Sequence, residues 1–433
     1  MKSMFKYIMF FWATISIAQK QYSLQECIDL ALKNSNLTKL ADLAYKSSMV
    51  DVTSAKQNKL PSASAGLGHG LNFGRSIDPS TNGFINEQIT RGGFNGQAYL
   101  PIWQSNQLNN SLKSFQFAEE ANRWALKNEE ANLELRVTVA YLQILNNKEL
   151  LVRAEMQAKT TQVQIERLKT LDAQGAIIPS QLSDMEGQLA LDQLSLLAGE
   201  QDLKSAKLNL VQLMNIPFSE SFDVLTNELN PRTDIKFDFA STLLQHPMIK
   251  SNEFQIKSAE LGLASAKSLR YPQLGLSLNL GSNYSSAYMI NNEKVKYPKQ
   301  LSNNFNYSGL VSLFVPILDG YRVRSQIKKA EIAIDRAKVN NDLAKNTIQQ
   351  QVEQAEFLAE GAKTRFDLAE SQLKSFEKSF KIAESRFNNG STNSIVEYII
   401  AKNNFDRAQN LLITAKYEMA FRNKVLEFYS NIK

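Results

Sequence analysis

Leu274-Gly275-Leu276-Ser277-Leu278-Asn279-Leu280-Gly281 alternates a leucine with a small or polar residue from end to end. A period of two belongs to a strand with one apolar face. A second run downstream keeps the rhythm, with Phe305, Tyr307, Val311 and Leu313 set against Asn304, Asn306, Ser308 and Ser312. Together they read as an antiparallel hairpin. Its opposite face is Gly, Ser and Asn, a poor partner for a packed core, so a small sheet lying on helices fits badly. Strands of about 10 residues with lipid outside and water inside fit a membrane β-barrel.

The hairpin has a fainter copy earlier in the chain. Ala63, Ala65, Leu67, Leu71 and Phe73 are followed by Phe94, Ala98 and Leu100 on the same period. Pro61 and Pro272 stand before the first strand of each copy, Pro101 and Pro316 close the second, and Gly175 matches Gly390. The offsets are about 211 residues for the first pair and about 215 for the others, so the chain is an internal duplication with one small length change. Each half reads helix, strand, loop, strand, very long helix, turn, helix. The expected divisions are a signal peptide at 1–18, a first repeat at 19–230 and a second at 231–433. The polar stretches 74–93 and 282–303 are expected to be the longer, extracellular loops of the barrel.

Between Gly320 and Phe387 there is no proline, and Gly361 is the only internal glycine. Ile334, Ile348, Ala355, Ala362, Ala369, Phe376 and Ala383 recur every seven residues, with Asn341 breaking the series once. Val352, Ala359, Phe366, Leu373, Phe380 and Phe387 form a second series, which completes an a/d heptad seam. The first half keeps the register in Leu126, Leu133, Ala140, Ala154 and Leu168, and in Val137, Ile144, Leu151, Ala158 and Ile165. A helix of about 65 residues would be roughly 100 Å long. Each should stop near Gly175 or Gly390 and return as a second helix, over 180–214 and 394–429. Helices alone leave a soluble coiled-coil scaffold or adapter open. The strands and the second complete copy argue against it.

Lys2 and Lys6, an apolar run from Tyr7 to Ile17 and a small-residue site ending at Ala18 read as a secretory signal. The run is too short to span a membrane, and no later segment has the length and apolarity of a membrane helix. Four strands per chain leave two open edges, which lipid does not tolerate. The barrel must then close between chains. Two copies would give eight strands and a filled interior, three would give twelve and a lumen.

The remaining chemistry is sparse. Cys27 is alone, which excludes an intrachain disulfide, and two histidines, His69 and His246, exclude a histidine-rich metal site. The formal charge of +6 is spread among interspersed acids and bases, a solvated surface rather than a nucleic-acid footprint. GLGHG at 66–70 has no following lysine-bearing helix and is no phosphate loop. Asp184 and Glu186 read as a solvated helix face, and His246-Pro247 as a helix boundary. No catalytic constellation or cofactor site emerges, and the chain does not read as an enzyme.

The duplicated unit behind a signal peptide resembles the TolC-like outer-membrane efflux family over nearly all of the mature chain. Local marks agree: Tyr22-Ser23-Leu24 with Ala31-Leu32, Leu60-Pro61, Tyr271-Pro272, and Arg386-Phe387-Asn388-Asn389-Gly390 as the family's Arg-aromatic-x-x-Gly turn. The segment 72–82, NFGRSIDPSTN, looks like one found in a branch of that family. The resemblance implies a mainly α fold with a membrane β-barrel section. Duplicated long coiled-coil hairpins and two β-hairpins per chain would close, as a homotrimer, into a 12-stranded barrel in outer-membrane lipid and an α-helical periplasmic tunnel. It implies a passive exit duct of a tripartite efflux or type I secretion system, gated at the periplasmic end of the coiled coils. An inner-membrane pump and a periplasmic adapter would meet the tips at Gly175, Arg386, Phe387 and Gly390. Glu397 matches a position where the family narrows its entrance with acidic rings, and three copies of it would favour cations. Ile400 departs from the next acidic position. Leu171 and Asp172 stand where the second tip has Arg386 and Phe387, so the two tips should dock unequally.

Overall fold

The structure, a computed structural model, describes residues 21–78, 81–174, 179–226, 245–389 and 394–431. The expected signal peptide at 1–18, Gly175, Gly390 and the expected repeat junction at 230/231 lie outside them. In chain order the first elements are β1 (Gln21–Tyr22), α1 (Leu24–Asn34), α2 (Asn36–Gln57), β2 (Ser62–Asn72), β3 (Arg75–Ile77), β4 (Phe84–Asn86), β5 (Ile89–Trp103), α3 (Gln107–Ala173) and α4 (Pro179–Leu213). There follow β6 (Asp223–Val224), α5 (Pro247–Ser268), β7 (Gln273–Ser285), β8 (Met289–Ile290), β9 (Glu293–Lys294), α6 (Tyr297–Asn303), β10 (Asn306–Phe314), α7 (Arg322–Asn388) and α8 (Ser394–Asn431). Most of the chain is helical.

Two compact units divide it. One takes Met1–Ala41, Leu126–Pro247 and Lys345–Lys433, the other Asp42–Ala125 and Met248–Ala344. Each draws segments from both halves of the sequence.

The second unit holds an antiparallel sheet of order β10-β7-β5-β2. Directly opposed residues of an antiparallel pair share a face, so the register tests the alternation. Tyr307, Val311 and Leu313 oppose Leu280, Leu276 and Leu274. Leu278 opposes Ala98 and Leu276 opposes Leu100. Ala63 and Leu67 in turn oppose Ala98 and Phe94. These alternating apolar residues thus fall on one continuous face, and it is open, with Leu67 90% and Tyr307 81% exposed, while Tyr99, Leu310 and Phe314 lie on the other. The other face carries Ser62, Ser64, Gly66, Asn95, Gln97, Gly275, Ser277 and Asn279. Gly275 leaves room for the Tyr99 ring of the neighbouring strand, which lies 2.7 Å from where a Cβ would stand. A bulge between Pro101 and Trp103 ends the β5–β7 ladder.

The expected loops are more ordered than their composition suggests. Within 74–93, β3 pairs with β4, Arg75 lies 4.1 Å over the ring of Phe84, and β5 already begins at Ile89. Within 282–303, β7 runs on to Ser285 and α6 folds back against it. Gln300, 1% exposed, holds that return: its Oε1 accepts from the Ser285 amide at 2.9 Å. Its Nε2 donates to the carbonyls of Ser285 and Val295. These bonds run from a side chain to backbone, and a hydropathy period cannot register them. α7 starts where Gly320 and Tyr321 both take positive φ, and the Asp319 carboxylate accepts from the amide of Val323 at 2.7 Å.

In the first unit the heptad residues are the buried ones. Leu133, Val137, Ala140, Ile144, Ala154, Ile165 and Leu168 of α3, and Ile348, Val352, Ala355, Ala359, Ala362, Ala369 and Ala383 of α7, are buried. Asn341, which breaks the series, is buried too, in the second unit. A core of Cys27, Ile28, Ala31, Leu133, Val137, Tyr141, Leu210 and Met214 gathers α1, α3 and α4. Ser23 caps α1 in a reciprocal box with Glu26, and Tyr22 pairs with Val224. Asp223 sits 2.7 Å from Lys148 and 3.1 Å from Lys207. Burial alone would raise its carboxyl, but the two lysines outweigh it and hold the group below the ordinary carboxylate value. His246 is buried just ahead of α5, and burial pushes its imidazole down to about 4.

Candidate functional site at the helical tips

The ends of α3 and α7 and the starts of α4 and α8 meet in the first unit. Ile165, Leu168, Met185, Phe387, Ile395 and Tyr398 form one buried cluster there, flanked by Leu182, Leu189 and Phe380. Phe387 stacks on Tyr398 with centroids 4.7 Å apart, and Phe380 adds a second ring at 5.7 Å. Arg167 reaches across from α3. Its guanidinium donates to the side chain of Asn388, and at 3.1 Å to the Asn388 carbonyl. It also lies 5.7 Å over the Phe387 ring. A cation on the last carbonyls of a helix satisfies acceptors that have no partner within the helix and opposes the negative dipole end. The Arg-aromatic turn thus brings Phe387 into a core and Asn388 into a cap.

Arg386 and Glu397 are brought together. Arg386 Nη1 donates to Glu397 Oε1 at 2.7 Å, with the two side chains 59% and 49% exposed. Each also suits its helix end, the base in the last turn of α7 and the acid in the first turn of α8. The carboxylate expected to act as a free charge therefore has a positive partner on its own chain. Beside the pair runs a groove of about 630 Å³ lined by Gln181 and Asp184 of α4, Ala383 of α7, and Glu397, Ile400 and Asn404 of α8. Ile400, at the position of the missing second acid, is exposed in it. Asp184 and Glu186 are exposed on either side of buried Met185.

A second feature went unnoticed in the sequence. Lys402 of α8, 2% exposed, donates to Asp192 of α4 at 3.2 Å and to Asp406 at 2.8 Å. Asp192 also accepts from Thr161 of α3 and, at 2.8 Å, from Gln188. Gln188 in turn accepts from Asn403 at 3.0 Å. The available signal was Lys402 itself, which continues the heptad stripe Ile395, Tyr398, Phe405 where an apolar residue is due. Burial holds the Tyr398 phenol well above its ordinary value, with Glu384, Asp406 and Asp192 adding to the effect. Among the described residues the Tyr398 hydroxyl has no hydrogen-bond partner, no helix is long and apolar enough to cross a membrane, and no cluster of His, Cys, Asp and Glu could hold a metal ion.

Comparison with known proteins bears on the fold. Residues 240–429 match the family described as Outer membrane efflux protein. No curated protein matches the chain in sequence. Among solved structures, CusC, described in terms of transmembrane channel formation, superposes with a TM-score of 0.79 at 15% identity, covering 94% of this chain and 91% of its own. The open-state MtrE outer membrane channel of Neisseria gonorrhoeae gives 0.77 at 16% identity over 94% and 88%. The CmeC outer membrane channel of Campylobacter jejuni gives 0.76 at 16% over 94% and 85%. Identities this low speak for the fold alone. Over residues 240–429 the chain is similar in sequence to the outer membrane efflux protein family, and over nearly its whole length it shares the fold of these solved outer-membrane channels.

Proposed function

We propose that the protein is the outer-membrane exit duct of a tripartite efflux system, a passive channel gated at its helical tips. The observation that carries this reading is the four-stranded sheet, with one continuous exposed apolar face and two unpaired edges, β2 and β10. Lipid would cover the face, and edges in lipid require partners. Two further copies supply them and complete twelve strands around a lumen. The repeats at 19–230 and 231–433 give the same answer by symmetry. Within the chain, the second strand of the first hairpin pairs with the first strand of the next, Ala98 opposite Leu278. Carried across offsets of about 215 and about 211 residues, that seam sets Leu313 of one copy opposite Leu67 of its neighbour. The groove beside Arg386, Phe387 and Glu397 is where a periplasmic adapter would seat, bringing an inner-membrane pump to the mouth.

Cysteines test it directly. Leu67→Cys with Leu313→Cys should give a disulfide-linked trimer in outer membranes, because opposed strand residues lie within disulfide reach. Leu71→Cys with Leu313→Cys should not. Native Cys27 is buried and does not compete. Monomers alone from the first pair would refute the trimeric barrel.

A further inference from the structure

The Lys402 cluster contains two carboxylates and one ammonium, all inside the helical packing. Asp192 belongs to α4, in the first half of the sequence, and Lys402 and Asp406 belong to α8, in the second. The Nζ of Lys402 lies 3.2 Å from Asp192 and 2.8 Å from Asp406. Their side-chain exposures are 3% for the lysine, 8% for Asp192 and 17% for Asp406. Thr161 brings α3 into the same network through Asp192. The other ionisable groups that bear on the cluster are Glu384 of α7, Arg167 of α3 and Tyr398 of α8, which meet at the Tyr398 ring.

We propose that Asp192, Lys402 and Asp406 form a proton-operated lock between α4 and α8. With both carboxylates ionised, the cluster carries one negative charge too many, and taking up a single proton balances it and tightens the seam. The lock rests on the reading of this end of the molecule as a gate, since it ties the two returning helices just behind the tip.

Charge counting fixes the direction of the response. A buried ion pair is tolerable when its charges cancel, and an unpaired charge left in the same place is expensive. Asp406 is the candidate to take the proton. Its burial raises the carboxyl and Asp192 adds to that, while the attraction of Lys402 offsets only part, leaving the group above 3.8. A carboxyl whose value is raised in the packed state stabilises that state below the solvated value. The contribution fades as pH climbs through the raised one. The seam therefore tightens as pH falls through the raised Asp406 value and loosens above it. That order is opposite to the one for a simple salt bridge, which acid would break.

Hydrogen–deuterium exchange of the full-length protein, corrected for the intrinsic pH dependence of exchange, reads the lock at peptides covering 180–195 and 394–412. Wild-type protection there should rise as pH falls from about 7.5 to about 3.5, by up to ten-fold for each unit separating the packed and solvated values of Asp406. Asp406→Asn should hold the acid-like level throughout. Lys402→Met should lose protection at neutral pH and recover it in acid, as Asp406 takes up its proton. A merely structural cluster would change the level of protection and leave the pH profile intact. If Asp406→Asn keeps the wild-type pH slope, the lock is wrong. Failure of the duct reading would appear separately, as no conductance from the purified protein in planar bilayers at any pH. The exchange profile would still decide the lock.

Discussion

The pairing of Glu397 with Arg386 changes what neutralising either residue should do to ion selectivity. A free ring of three Glu397 carboxylates would carry three negative charges, and Glu397→Gln would abolish cation preference. With Arg386 2.7 Å away on the same chain, each protomer of the proposed trimer would instead contribute no net charge at the mouth. Glu397→Gln then exposes three guanidinium groups and should turn the mouth towards anions. Arg386→Gln exposes three carboxylates and should increase cation preference. The double variant should return close to wild type. Both side chains are about half exposed, so the pair itself should contribute less than about 1 kcal/mol to stability, and all three variants should fold. The assay is the reversal potential of single channels in planar bilayers under a KCl gradient. Shifts of opposite sign are expected at about 0.1 M salt, where screening reaches about 10 Å. They should shrink at about 1 M, where it reaches about 3 Å. An unchanged reversal potential in Arg386→Gln, alongside a shift in Glu397→Gln, would refute the compensated mouth and restore the free ring.

Three other outcomes follow from packing and charge. Gly275→Val forces a Cβ against the Tyr99 ring and should cost about 1–3 kcal/mol, seen as reduced folded yield in outer membranes. Tyr99→Ala in the same chain should restore that yield. Tyr398→Phe removes a buried hydroxyl that has no partner among the described residues, and Tm should rise or hold. A clear fall would mean that the hydroxyl is bonded. Asp223 is held below its ordinary value, so its contribution to stability is present above pH 3.8 and is lost as pH falls through the lowered value. Asp223→Asn should be less stable than wild type at pH 7 by thermal melting, and the gap should close in strong acid.

Periodicity made the strands, the long helices and their core residues readable. Leu274 to Leu280 and the heptads from Leu133 to Ala383 bury or expose what their spacing requires, because burial repeats with backbone geometry. The order within 74–93 and 282–303 was not readable. It depends on single side chains such as Gln300 and Arg75 meeting backbone or rings brought near by the fold. The candidate site divided the same way. Arg386, Phe387 and Glu397 were visible as a turn motif and a matched position. Arg167 and Asp192 were not, since their partners lie on other helices, and Lys402 showed only as a break in the apolar stripe of α8. Lys402 and Asp192, for instance, are joined across 210 positions.

The seam between β5 and β7 also sets the order of events when the chain is made. Gln97 opposes Asn279, so the middle of the sheet joins residues about 180 positions apart, and closing so long a loop comes late and slowly. A ribosome delivering about 5–20 residues each second has long since released the first hairpin before its neighbour exists. Until then that hairpin has no stable partner, and a lone hairpin is marginal in water. The chain is thus kept from maturing ahead of time, and its two halves have to arrive together before either strand pair can hold.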